Sequence, residues 1–459
     1  MSSRGLPSDE GRHYGLPMRV LRWVVLGVVV VLLLAGVAGY WYMRPLLRTA
    51  TGYAAHNACA VVHVAGRSDP STDLPPNPLV PVLRTSDDAG EVRGSVLGAL
   101  AAQRAWYAQG FGCTLAGDRP DLGQATVIST GDNPLTDATA ATPSPAIEAA
   151  VATAFGDDLS ADERESLGTR AVVVVRGGEL VAERYAEGFD RMTPQLGWSM
   201  TKSVANLMVG RLVQTGTVSL DEDRLRPEWT NERADITIED LLRMSSGLAW
   251  DETYDLGTPI TRMLYDEPDM AAYVASQPAA HEPGSYQVYS SGDTNVLCSV
   301  LAERTGAGAD LPRRLLFAPL GLPSAVLEPD AAGTPVCSSY MWATPRDWAA
   351  VGLFALQDGS WAGEELLPEG WMEASTTATD VRSEEDGYAA GWWVNERPDG
   401  SLVEPTLPAD AYFAEGHDGQ WIIVVPSADL VVVRLGFSPE VDDVGAVDLA
   451  AAVIAAEPE

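Results

Sequence analysis

The sequence predicts a mixed α/β (α+β) chain: an antiparallel sheet made from N- and C-terminal segments, a helical region inserted between them, and a transmembrane helix in front. Three observations lead there. Residues 23–43, WVVLGVVVVLLLAGVAGYWYM, carry no charge. Two apolar hairpins, AVVVVRGGELVAERY and WIIVVPSADLVVVRLG, stand near opposite ends of the region after residue 145. Helical periodicity fills the stretch between them, which fits one sheet closed by the two ends of the chain.

As a helix rising about 1.5 Å per residue, residues 23–43 span roughly the 30 Å apolar core of a bilayer. Trp23, Tyr40, Trp41 and Tyr42 flank the aliphatic run, where an aromatic belt sits. Arg4, Arg12, Arg19 and Arg22 precede it, while Arg44 and Arg48 follow. This excess puts the N-terminus in the cytoplasm and the bulk of the chain outside. Gly36 and Ala38 offer a cleaved signal peptide as the alternative. The long polar lead and the apolar run beyond that point favour an uncleaved, single-pass anchor in the cell membrane. The expected organisation is a cytoplasmic lead (1–22), the anchor (23–43), an extracytoplasmic extension and linker (44–144) and one large domain (145–459). A chain of 459 residues has room for one large domain plus accessory segments. Its net charge of −34 repels phosphate backbones, so no nucleic-acid partner is expected.

Cys59, Cys113, Cys298 and Cys337 form no C-x-x-C pair, and His56, His63 and His281 do not cluster with carboxylates at ligand spacing, so no metal is expected. Outside the membrane an even count points to two disulfides. Three connectivities are open; Cys59–Cys113 with Cys298–Cys337, one staple in each region, is preferred.

In the extension, CAVVHVAGR reads as a strand with its turn, GSVLGALAAQRAWYAQGFGCTLAG as a helix or a strand pair, and TGDNPLTDATAATPSP as a linker or strap. In the large domain Gly177-Gly178 turns the first hairpin and Pro426 to Asp429 the last. MTKSVANLMVGRLVQTG has helical spacing and stops at Gly216. ITIEDLLRMSSG begins at an N-cap, Thr237, with Asp240 at the capping-box position. TPRDWAAVGLFALQDG begins at Thr344 with Pro345 behind it, and GAVDLAAAVIAA closes the chain as a helix. GWWVN alternates faces, so one of Trp392 and Trp393 can wall a site. The acidic SEEDG reads as a solvated loop.

The chemistry starts at GWSMTKS. Ser199 and Lys202, three apart at a helix start, share a face. A serine hydroxyl needs a neighbouring base, and burial lowers a lysine's pKa toward that role. Helix N-terminal N–H groups also face a developing oxyanion. Alone, S-x-x-K is more simply a serine cap followed by a solvated lysine. Two further segments change the balance. YQVYSSGDTNVLCSVLAERTG opens a helix at Tyr289-Ser290-Ser291, where a lysine ammonium would lower a buried phenol's pKa and make it a base. AEGHDGQWIIVV leads His417-Asp418-Gly419 into a strand. Gly419 there lets a substrate backbone come close, and the Gln420 N–H completes an oxyanion hole with that of Ser199.

S-x-x-K, Y-S-x and H-x-G in this order, with TIEDLLRMSSGL, ATPRDWAAVGLFALQDG and LPEGWMEAS between them, resemble the serine hydrolases of the class C β-lactamase superfamily. That group includes D-Ala-D-Ala carboxypeptidases, esterases and nylon-oligomer (aminohexanoate-dimer) hydrolases. The resemblance covers roughly residues 165–455, is closest to the esterase and nylon-oligomer branch, and implies the β-lactamase/D,D-peptidase-like fold. CAVVHVAGR and GFGCTL resemble the N-terminal extension of a bacterial subgroup. The resemblance implies Ser199 as the acylated nucleophile, Lys202 as the group that takes or relays its proton, and Tyr289 as general base and then acid. It places His417, Asp418, Gly419 and Ser291 at the substrate. Tyr254, in WDETYDLG, resembles a loop tyrosine that closes over substrate in the nylon-oligomer hydrolases.

Two boxes depart from the pattern. Ser291 stands where β-lactamases and many peptidases have asparagine, and His417 where β-lactamases have the lysine that helps hold the substrate carboxylate. Both changes favour an esterase or linear-amide hydrolase. Asp418 would add a negative charge suited to neutral or amine-bearing substrates. No cofactor is implied. The expected activity is serine hydrolysis of a small-molecule ester, amide or peptide. A peptidoglycan D,D-peptidase and a non-catalytic, membrane-tethered binding protein are the alternatives.

Overall fold

The computed structural model describes residues 18–131, 133–383 and 387–456. The polar lead with Arg4 and Arg12, and the centre of the acidic SEEDG run, lie outside the described residues. Helix α1 (Met18–His63) is one uninterrupted element. Its first half is apolar, exposed and long enough to cross a membrane. Its second half, from Thr49 to Val61, is largely buried.

CAVVHVAGR is therefore not a strand. Its first residues form the last turn of α1, because the helix runs through Pro45 and the closely packed Gly52 and stops only ahead of Gly66, which takes φ +68°. Small residues at Ala54, Ala55, Ala58 and Cys59 let the helix lie flat on its neighbours, and that burial overrides local strand propensity. β1 (Leu83–Asp88), β2 (Glu91–Val96), β3 (Leu100–Ala108) and β4 (Gly112–Leu115) form an antiparallel meander against it. A disulfide joins Cys59 of α1 to Cys113 of β4.

Two glycines set how close these layers come. A Cβ at Gly94 of β2 would stand 2.3 Å from the Thr51 carbonyl oxygen, and one at Gly52 of α1 would stand 2.0 Å from that of Tyr265. α1 is thus wedged between the meander and the large domain. Polar contacts hold the wedge. Arg48 pairs with Asp266, and Gln103 Nε2 donates to the Tyr265 carbonyl at 2.5 Å. The buried Glu328 carboxylate accepts from the Cys113 N–H at 2.6 Å and from Trp342 Nε1 at 3.0 Å. The segment after the meander is a strap: Asn133 Nδ2 donates to Asp347 Oδ1 at 3.1 Å, and the Ala141 N–H to the Leu180 carbonyl at 2.9 Å.

In the large domain α2 (Pro145–Ala154) leads to β5 (Thr169–Arg176) and β6 (Glu179–Tyr185). α3 (Met200–Gln214), α4 (Ser291–Thr305) and α5 (Pro345–Leu356) belong to the inserted region. β7 (Trp393–Val394), β8 (Tyr412–Gly416), β9 (Gln420–Val425) and β10 (Leu430–Gly436) return to the sheet, and α6 (Ala446–Ala455) follows. The sheet order is β7-β8-β9-β10-β5-β6, antiparallel throughout, with Val432 of β10 opposite Val174 of β5. The two ends of the domain therefore meet in the middle of one sheet. Its central strands β9, β10 and β5 are largely apolar because both faces are covered. Ala171, Val173 and Val175 face α3 and α5, while Val172 and Val174 pack with α2 and α6.

Candidate active site

A sharp turn delivers α3. The Gly197 N–H donates to the Met341 carbonyl at 2.9 Å, and Trp198 takes φ +48°. A left-handed tryptophan is strained, and persists only where its surroundings over-determine it. Here its indole is buried, and the Thr201 hydroxyl donates to its carbonyl at 2.6 Å. Gly197 admits no side chain, since a Cβ would stand 2.2 Å from the Trp348 ring. Ser199 thus enters at the head of α3, and its hydroxyl caps nothing.

Lys202, one turn later, is 2% exposed. Its Nζ donates to Ser199 Oγ at 2.9 Å, Ser291 Oγ at 2.9 Å and the Ser338 carbonyl at 3.2 Å, which fills all three directions of an ammonium. A serine cap followed by a solvated lysine does not describe this geometry. Burial lowers the Lys202 pKa to about 8, against a smaller opposing pull from the Glu252 carboxylate. The Cys298–Cys337 disulfide ties α4 to the residue before Ser338 and so fixes the carbonyl beneath Lys202.

Tyr289 stands just ahead of α4, whose N-cap Ser290 accepts from the Asp293 N–H at 3.0 Å. Lys202 Nζ lies 4.6 Å from the centre of its ring. Trp393 stacks on that ring at 5.3 Å and Tyr388 meets it edge-on at 5.2 Å. Trp393 therefore walls the site, while Trp392 is buried in the core. The expected lowering of the Tyr289 pKa is corrected. Burial first, then Tyr388 and Glu252, hold the phenol well above its ordinary value, and a hydrogen bond with Ser199 opposes them. The loss of water from a phenolate enclosed by these rings outweighs the hydrogen bond from Ser199.

Glu252 is the residue that sequence reasoning missed. Its carboxylate accepts from the Ser291 N–H at 2.9 Å, the Ser291 hydroxyl at 2.5 Å and Trp250 Nε1 at 2.5 Å. Ser291 is fully buried and bridges Lys202 to Glu252, inside the proton network rather than along the crevice. WDETYDLG carries a family resemblance at Tyr254 alone. Among 64 acidic residues, one more glutamate carries no mark.

Across the crevice His417 is exposed, stacks on Tyr254 at 4.4 Å and meets Trp198 edge-on at 5.5 Å. The Tyr254 hydroxyl lies near Ser339 and Ser291 without a hydrogen bond of good geometry. Burial foremost, with Glu252 next, raises its pKa. Asp418 takes φ +60° and turns its side chain inward, 6% exposed, toward a small cavity shared with Asp73 and Arg170. The negative charge expected beside the substrate is thus buried beneath the hairpin. Asp418 Oδ1 is 3.4 Å from His417 Nε2, too loose for a hydrogen bond, and burial raises its pKa.

Gly419, at φ +84°, also faces inward, where a Cβ would stand 2.5 Å from Arg434 Nη1. The close approach expected at Gly419 belongs instead to Gly416, where a Cβ would stand 2.1 Å from the Gly197 carbonyl oxygen. Gln420 pairs with Gly416 across the hairpin, so the hairpin edge abuts the turn that carries Ser199. Ser199, Lys202, Tyr289, Ser291 and Glu252 form one connected cluster, with Tyr254 and His417 at its rim. Among the described residues no group of three or more side chains is arranged to hold a metal.

The family model described as Beta-lactamase matches residues 157–455. The 6-aminohexanoate-dimer hydrolase of Paenarthrobacter ureafaciens is 26% identical over 304 residues, covering 60% of this chain and 74% of its own. A solved structure from Bacillus anthracis, assigned as a 6-aminohexanoate-dimer hydrolase, superposes with a TM-score of 0.58 at 20% identity, covering 72% of this chain and 90% of its own. EstCE1, a hydrolase with promiscuous acyltransferase activity, superposes with a TM-score of 0.55 at 18% identity, covering 67% and 98%. At these identities the two structural likenesses show the fold alone. The sequence match spans well over half the chain and encloses both Ser199 and His417, and the chain belongs to the Beta-lactamase family as a serine hydrolase.

Proposed function

We propose that the chain is a membrane-anchored, extracytoplasmic hydrolase that cleaves an ester or linear amide through an acyl-enzyme on Ser199. One observation carries the reading: a buried amine with a pKa of about 8 lies 2.9 Å from a serine hydroxyl that caps nothing. Neutral Lys202 takes the Ser199 proton as Oγ bonds to the substrate carbonyl carbon. The N–H groups of Ser199 and Gln420 receive the oxyanion. On collapse the bond to the leaving oxygen or nitrogen breaks, the Tyr289 phenol protonates that atom, and the Lys202 ammonium reprotonates Tyr289. Water repeats the sequence on the acyl-enzyme and releases the acid. Glu252 orients Ser291 and through it Lys202, while Tyr254 and His417 line the entrance. Similarity to an aminohexanoate-dimer hydrolase supports linear amides, and the fold shared with EstCE1 is compatible with esters.

The apolar first half of α1, the arginines preceding it and two disulfides support a cytoplasmic N-terminus and an external hydrolase. The proposed division is a lead (1–22), anchor (23–43), extension (44–144) and hydrolase (145–459).

Fluorophosphonate labelling of the purified protein, with the adduct mapped by mass spectrometry and Ser199→Ala as control, tests the mechanism. A single adduct on Ser199 is expected. No adduct on folded protein overturns the catalytic reading and leaves a tethered binding protein. Stable trapping by benzylpenicillin would point instead to a peptidoglycan D,D-peptidase. A second outcome concerns Glu252, whose charge holds the Lys202 pKa up. Glu252→Gln is expected to move the pH-dependent rise in ester hydrolysis to lower pH. An unmoved profile would separate Glu252 from Lys202.

A further inference from the structure

We infer that the N-terminal extension completes the substrate site: the 74–83 loop and the second half of α1 roof an apolar subsite that takes the acyl chain of the substrate, a linear aliphatic group of about six carbons. The inference deepens the acyl-enzyme reading and rests on it.

A cavity of about 200 Å³ lies beside the crevice. The large domain contributes Trp198, Tyr254 and His417, so the cavity begins one residue from Ser199 in the chain and behind the rings at the rim. The extension contributes Tyr53 from α1, Leu74 and Val80 from the loop, and Leu83 at the start of β1. Much of this lining is aliphatic, Pro75, Pro76 and Leu256 included, and three of its polar groups are already engaged. Asn77 Oδ1 accepts from the Leu79 N–H at 2.9 Å, the Thr261 hydroxyl donates to the Asp255 carbonyl at 2.8 Å, and the Tyr53 hydroxyl to that of Asp73 at 3.3 Å. Along the aliphatic stretch formed by Leu74, Val80 and Leu83 a polar guest would lose its water without gaining partners, whereas an aliphatic chain loses nothing.

The roof is held in place before substrate arrives. Asp73, immediately before Leu74, accepts from Arg67 Nη1 at 2.5 Å and Nη2 at 3.0 Å, and from Arg170 Nη2 of β5 at 2.5 Å. A wall fixed in this way costs little ordering on binding. The acyl end is the one assigned because Tyr289, the proposed proton donor to the leaving group, stands on a different flank against Trp393 and Tyr388. The other substituent of the tetrahedral carbon then extends toward Trp198, Tyr254 and His417. An apolar cavity of about 150 Å³ holds a benzene-sized guest, so one slightly larger suits about six carbons.

The test is kcat/KM for p-nitrophenyl acetate, butyrate, hexanoate and decanoate with the full-length protein in detergent. The expected result is a gain of about threefold per methylene up to hexanoate and none beyond. Val80→Trp, which fills the subsite, should collapse the hexanoate-to-acetate ratio. Leu74→Ala, which enlarges it, should move the optimum toward decanoate, a gain that misfolding cannot mimic. A flat chain-length profile, or variants that lower all esters alike, overturns the inference while labelling of Ser199 stands. Failure to turn over any ester together with no Ser199 adduct removes the underlying reading, and this inference with it.

Discussion

Lys202→Ala is expected to lower kcat/KM for an activated ester by about a thousandfold or more, with the fold retained. The variant loses the amine that contacts Ser199 Oγ, Ser291 Oγ and the Ser338 carbonyl. It also loses a charge that burial disfavours, so stability near neutral pH has little to lose. The sign follows from linkage. The Lys202 pKa falls from 10.5 to about 8 on folding. Between those values the unfolded chain binds the proton more tightly, and the contribution of Lys202 to stability rises with pH across that window. Activity rises in the same direction, through about pH 8, because only the neutral amine accepts the Ser199 proton. Steady-state kinetics from neutral to alkaline pH, with thermal denaturation of both proteins, check both claims. A variant within tenfold of the parent, or a pH profile with no rise, sinks the assignment of Lys202 as the base.

Gly416→Ala is expected to cost about a hundredfold in activity and about 1–3 kcal/mol in stability, although it adds one methyl group far from the reacting atoms in sequence. The methyl would sit 2.1 Å from the Gly197 carbonyl oxygen, a backbone atom that accepts from the Met200 N–H at 3.1 Å and so shapes the turn before Ser199. Either the hairpin retreats from the turn or the turn moves, and both displace the nucleophile from its donors. Gly416 is not among the left-handed glycines, so the effect is steric rather than conformational. Gly117→Ala, where a Cβ meets nothing within 4 Å, is the control and should be neutral. Kinetics equal to the parent for Gly416→Ala would show that the hairpin does not set the position of Ser199.

Much of the architecture was legible because its signals are local. Hairpins announce themselves in turn residues such as Gly177-Gly178, and the Thr237–Asp240 box and Thr344-Pro345 announce helix starts. The order of Ser199, Lys202, Tyr289 and His417 along the chain pointed to the family, and each cysteine found the partner nearest in sequence. Those features depend on residues a few positions apart or on an order the chain itself preserves.

Other properties depend on atoms that only folding brings together. CAVVHVAGR has strand composition, yet it ends a helix because α1 runs unbroken into a buried groove. Glu252 lies 39 residues from the Ser291 it orients, with nothing in its neighbours to mark it. The Tyr289 pKa rises because Trp393 and Tyr388, about a hundred residues downstream, close around the ring. Asp418 and Gly419 turn inward and Gly416 takes the close contact, since a strand's facing is set by what lies beneath the hairpin. Sequence by itself marked Ser199, Lys202, Tyr289 and His417 by their order and the two hairpins by their turns. Tertiary structure decided their protonation, their facing and the roof over the crevice, because desolvation and close approach are properties of surroundings assembled from distant parts of the chain.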